Sequence, residues 1–94
     1  MPAITRLGDS STGHGNAGPR ASKQGSSTVF VNSIAVHRLG DLWVDHHTPP
    51  VNDEALSSGS SSVFANGLKV GRIGDSISCG DKVAAGSPTV FAGG

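Results

Sequence analysis

Cysteine is nearly absent. Cys79 is the only one, so no internal disulfide can form, and the residue is either a small buried hydrophobe or a metal ligand. Tyrosine is missing altogether, and one Trp and three Phe make up the 4% aromatic content. A core built on large rings is thereby excluded. No apolar run approaches the ~20 residues of a membrane span, and Met1-Pro2-Ala3 does not begin a signal peptide. The product is therefore expected in the cytoplasm before any export or assembly step. Net charge is zero, with 7 basic and 7 acidic residues scattered along the chain, and no basic run tracks phosphates or a lipid surface. Nucleic acid and stable membrane insertion are not expected. Gly-x-Ser-x-Gly, a Gly-Lys-Ser/Thr phosphate loop, Cys-x-x-Cys and His-Glu-x-x-His are all absent, which removes the common linear signatures of hydrolases, nucleotide binders and zinc motifs.

What the chain has instead is glycine, serine and a period. Fourteen glycines and five prolines in 94 residues would suggest disorder if they were distributed without order. Residues 25–41, GSSTVFVNSIAVHRLGD, recur as residues 59–75, GSSSVFANGLKVGRIGD, at a constant offset of 34 and with ten of seventeen positions identical. The N-terminal Ile4-Thr5-Arg6-Leu7-Gly8-Asp9 matches the second half of this unit, and the C-terminal Gly86-Ser87-Pro88-Thr89-Val90-Phe91 matches the first half. The two ends thus supply a third unit. Such a repeat predicts one all-β domain over residues 1–94, with short β-hairpins in pseudo-threefold arrangement and the N- and C-terminal strands closing the third unit.

Asn66-Gly67 is the strongest hairpin signal, because both turn residues must take positive φ; Asn32-Ser33 stands at the equivalent place. Residues 10–25 carry no periodic apolar position and read as loop. Residues 42–58 read as the longest irregular segment, with Pro49-Pro50 excluding a helix across the middle and Asp53-Glu54-Ala55-Leu56 making one helical turn at most. Trp43 is expected to be structural, shielding a site. The repeated Arg6, Arg38 and Arg72 with Asp9, Asp41 and Asp75 predict a ladder of charge-assisted hydrogen bonds, since one active site seldom needs three copies of a pair.

Counting from the aspartate that ends each unit reveals a constellation. His14 lies five residues after Asp9, His46 five after Asp41, and Cys79 four after Asp75. About a pseudo-threefold axis, equivalent stations converge. Two imidazoles and a thiolate meeting at a point suit a tetrahedral zinc ion, with iron the alternative that spacing does not exclude. The fourth donor is His37 or His47; neighbours in an extended segment face opposite ways, which separates His46 from His47 and favours His37. A catalytic metal site would need an open coordination position and a carboxylate base, for which Asp45 and Glu54 are the nearby choices.

The Gly-Ser-Ser-x-Val-Phe-x-Asn and x-Val-x-Arg-Leu/Ile-Gly-Asp halves, the closing Gly-Ser-Pro-Thr-Val-Phe-Ala-Gly, and His14 and Cys79 after their Gly-Asp turns together resemble the PAAR-repeat proteins, which form the conical tip on the spike of type VI secretion systems and contractile phage tails. The literal Pro-Ala-Ala-Arg is replaced by Ala35-Val36-His37-Arg38 and Lys69-Val70-Gly71-Arg72. The resemblance implies a β-rich cone with a flat base on a trimeric spike protein, of the valine-glycine-repeat or phage baseplate type, one tip per trimer. It also implies one structural zinc near the apex held by three histidines and a cysteine. On this reading the chain is no enzyme but a stand-alone tip, monomeric by itself and without a fused effector, that caps and sharpens a membrane-puncturing spike. It would move from the cytoplasm to the end of the injection machine. A zinc-stabilised adaptor for some other protein is the alternative, and a small metallohydrolase a more remote one. The Val29-Phe30, Val63-Phe64 and Val90-Phe91 neighbourhoods are expected either at the base or in the core.

Overall fold

The computed structural model describes residues 1–13, 18–44 and 54–94. Among these there is no helix. Six two-residue strands form three antiparallel pairs: β1 (Phe30–Val31) with β2 (Ile34–Ala35), β3 (Leu42–Trp43) with β4 (Glu54–Ala55), and β5 (Phe64–Ala65) with β6 (Leu68–Lys69). The two hairpins of the repeat turn where the sequence places them. Asn32 and Ser33 have φ of 55° and 65°, and Asn66 and Gly67 of 56° and 77°, the left-handed pair that matches the twist of the flanking strands.

Pairing between units supplies the threefold frame. Ile4 bridges Arg72, Arg6 bridges Val36, and Arg38 bridges Val70, so each unit's second strand meets the other two. On the axis the backbone closes a ring: Thr5 N–H donates to the Gly71 carbonyl at 2.9 Å, Gly71 N–H to His37 at 2.9 Å, and His37 N–H to Thr5 at 3.2 Å. The third hairpin is assembled from the two chain ends, with Ala3 bridging Phe91 and Ala92 N–H donating to Pro2 at 3.0 Å.

Side chains repeat the same symmetry. Arg6, Arg38 and Arg72 each place Nε on Oδ2 of Asp9, Asp41 and Asp75, at 2.9, 2.8 and 3.1 Å, and each backbone N–H of those arginines donates to the same oxygen. The carboxylate therefore staples a tight turn whose third residue, Gly8, Gly40 or Gly74, holds φ near +90°, a value that side chains resist. Nη1 of Arg6 then reaches Asn32 Oδ1 and that of Arg38 reaches Asn66 Oδ1 in the next unit, while Arg72 uses the Gly93 carbonyl in the closing unit. Ser87, Ser26 and Ser60 donate to the same three acceptors, and each hydroxyl caps two following N–H groups. This is the predicted ladder, and it connects units rather than forming a site.

The apolar interior is split in two. One cluster, Ile4, Val31, Val36, Ala65, Val70 and Ala92, takes two residues from each unit. The other, Trp43, Leu56, Ile77 and Val83, comes from the connecting segments. Here the expectation of an irregular stretch over residues 42–58 fails at both ends. Leu42–Trp43 and Glu54–Ala55 pair as strands, with Trp43 opposite Glu54, and Leu56 bridges Ile77. A helical turn at 54–56 would give up the burial of Leu56 beside Trp43, and packing overrides the weak local preference of Glu-Ala-Leu. Residues 10–25 likewise contain pairings the sequence does not announce, Ser10 with Ala21 and Ser22 with Trp43.

Close backbone approach explains the glycine that opens each unit. A Cβ on Gly59 would lie 2.8 Å from the Val70 carbonyl and 3.0 Å from the Lys69 Cβ, and one on Gly86 would lie 2.7 Å from the Ile4 carbonyl. Gly59→Ala is accordingly expected to cost about 1–3 kcal/mol in urea unfolding, as overpacked sites do. Gly18→Ala, whose Cβ meets only Arg20 Nη1 at 3.8 Å, should be near neutral by the same measurement.

Candidate metal centre

His37 is the residue that the fold treats most unusually. Its equivalents in the repeat, Thr5 and Gly71, share the axial backbone ring, and its side chain packs against Trp43 of the second apolar cluster. It is fully buried. Nδ1 lies 2.7 Å from the Gln24 carbonyl, which can only accept, so Nδ1 carries the proton and Nε2 presents a lone pair. Among the described residues that Nε2 has no hydrogen-bond partner, and neither has the buried Nε1 of Trp43, whose ring stands edge-on at a centroid distance of 5.0 Å. An unpaired buried acceptor is costly in a native protein, and this tautomer, fixed by a backbone carbonyl, is the form in which histidine binds a metal.

Burial lowers the pKa of His37 from its ordinary 6.5; the Gln24 carbonyl and the Asp41 charge oppose that effect without cancelling it. Folding therefore favours the neutral ring. The unfolded chain takes up a proton below pH 6.5 that the folded chain refuses, so the contribution is complete above 6.5 and is lost as pH falls toward the lowered folded value. For the metal-free protein, urea midpoints between pH 7.5 and 5 should fall more steeply in the parent than in His37→Gln, where this proton is gone.

Cys79 packs against the Trp43, Leu56, Ile77 and Val83 cluster and is partly exposed. Desolvation raises its thiol pKa, partly offset by the Asp81 backbone N–H donated to the sulfur. A thiol in that condition becomes a thiolate only where a cation compensates it. Gly71 shows why the second complete repeat has little room for a counterpart of His37: a Cβ there would meet Leu56 Cδ2 at 2.7 Å and Thr5 Cγ2 at 2.8 Å. The ring is symmetric in backbone and asymmetric in function.

His14, His46, His47 and Asp45 lie outside the described residues, and among the described residues no three His, Cys, Asp or Glu side chains cluster. The segments leading to them are nevertheless placed. Thr12 N–H donates to Lys82 at 2.9 Å, Val44 N–H to Ala21 at 2.9 Å, and Ser78 N–H to Ala55 at 2.9 Å, so the three connecting segments are stitched to one another around Trp43 and Leu56. The donor set fits a metal: a buried imidazole with a free Nε2 and a thiol beside the same apolar cluster are the nitrogen and sulfur ligands that zinc takes. Glu54, the described candidate for a general base, instead accepts from Ser78 Oγ at 2.8 Å. Sequence reasoning missed Gln24, whose carbonyl sets the His37 tautomer, and Asp81, a buried carboxylate outside the repeat; nothing local marks either one.

Away from this end, the hairpins present Phe30, Phe64 and Phe91 at 56%, 52% and 47% exposure. Val29 and Val63 are exposed beside their phenylalanines, and only Val90 packs against the core, so these pairs belong mainly to the surface.

Comparison with known proteins returns no match among curated sequences. The family model of the PAAR motif matches residues 7–85, which span His37 and Gly71 of the axial ring, both complete hairpins and all four histidines and Cys79. The chain belongs to the PAAR-motif family, whose members form the spike tips of contractile injection systems.

Proposed function

We propose that this chain is a structural metal-bound tip that caps a trimeric spike and is not an enzyme. Its base is the hairpin end that carries Phe30, Phe64 and Phe91, and its ion is held at the other end by His14, His37, His46 and Cys79. The observation that carries this reading is the triplicate exposed phenylalanine on a pseudo-threefold frame. Three equivalent large apolar side chains facing solvent are costly on a monomer and suit a partner that offers three equivalent pockets. Around them stand Ile34 and Leu68, also partly exposed. The opposite end has different work: there the apolar interior is only four residues and a cysteine, and a tetrahedral ion would tie together segments that share little else.

Zinc is the preferred ion because neutral imidazole and thiolate are its usual donors, and a four-ligand site leaves no open position for hydrolysis. The trimeric partner is of the valine-glycine-repeat or phage baseplate class. The test is reconstitution with such a spike trimer. One tip per three spike chains is expected by native mass measurement, with the metal retained; a tip that ignores the trimer would sink this reading.

A further inference from the structure

Asp81 is almost fully buried, at 1% exposure, and lies between two of the segments that carry proposed ligands. Its Oδ2 accepts from Ser11 Oγ at 2.7 Å and from Gly13 N–H at 3.2 Å. Gly13 directly precedes His14. On the other side, Asp81 lies two residues after Cys79, and its carbonyl accepts from Ile77 N–H at 2.9 Å, which closes the turn that carries Cys79. Ser11 is itself fixed, with Oγ accepting from Arg20 N–H at 2.9 Å and its backbone bridging Val83. One residue thus grips the segment before His14 with its side chain and the Cys79 loop with its main chain.

We propose that Asp81 is a positioning residue for the metal centre, fixing the segment that ends at Gly13, just before His14, relative to the turn that carries Cys79. This rests on the metal reading above. A buried carboxylate that takes two donors from one segment holds it far more rigidly than solvent-exposed contacts do, and a ligand pair already at its binding separation loses less freedom on taking up the metal. Partners behind metal ligands typically change affinity 10- to 100-fold when removed. Neither the repeat nor the linear ligand spacing points to Asp81.

The experiment uses the full chain and measures zinc affinity by competition with a chromophoric chelator, together with the absorption of the cobalt(II)-substituted protein. Asp81→Asn is expected to weaken zinc about 10- to 100-fold and to alter the thiolate-to-cobalt band. Ser11→Ala, which removes one of the two donors, should change both in the same direction by less, and it carries the test should Asp81→Asn fail to fold. A purely structural role would lower the melting temperature of metal-free and metal-bound protein alike while leaving affinity and cobalt spectrum at the parent values. That outcome overturns the assignment of Asp81 and leaves the metal reading standing. A folded parent that binds no zinc overturns both.

Discussion

Stripping the metal with a chelator, or replacing His37 with alanine, is expected to lower the melting temperature by tens of degrees. Two small clusters, of six and four buried residues, make up the apolar interior among the described residues. A core of that size in a domain this short supplies about 3–5 kcal/mol, whereas a structural zinc carries an apparent ~10–16 kcal/mol of coupled binding and folding. Losing even about 3 kcal/mol shifts the midpoint of such a domain by roughly 12–24 °C. Metal content by mass spectrometry separates a ligand from a packing residue: the parent and His47→Ala should hold about one ion per chain, and His37→Ala should hold substantially less. If His37→Ala keeps its full metal and His47→Ala loses it, the fourth donor has been misassigned. If the chelated protein melts like the parent, the ion is not the staple.

The triple variant Phe30→Ala, Phe64→Ala, Phe91→Ala should abolish capture by a spike trimer while leaving the tip folded. Each ring is about half exposed and adds little to the monomer, so its removal should move stability within about 0.5 kcal/mol per site. At an interface the same rings would be anchors, and truncating an aromatic anchor commonly costs ~2 kcal/mol or more. Even with incomplete additivity, the triple variant should bind at least about a thousandfold more weakly by surface-immobilised titration. Single variants should fall between, with similar losses at the three positions if the partner is a true trimer. Parent-level binding by the triple variant would move the docking surface elsewhere and remove the main support for the proposed orientation.

Much of this architecture is legible in the order of residues. A period of 34 with split ends announces three units and a closure between the termini, and Asn-Gly or Asn-Ser after Val-Phe marks the hairpins, because few residues tolerate positive φ twice in succession. The recurring Arg and Asp predict their own ion pair, since three residues and one glycine turn bring them together without outside help. What local rules miss is what depends on distant chain. Glu54, Ala55 and Leu56 are extended because Trp43 and Ile77 lie beside them, and Gln24 matters to His37 only through its carbonyl, which no side-chain pattern reports.

The sequence by itself determined the number of units, their turns and their salt bridges, because each is decided by contacts within a few residues or by repetition of them. Tertiary structure alone decided that the Val-Phe pairs lie mainly on the surface, which repeat has room for a histidine at the axial ring, and that Asp81 lies between the two segments leading to His14 and Cys79. Those outcomes depend on distant chain: once backbones close around a common axis, the space left for each side chain is set by whatever the other two units have already placed there.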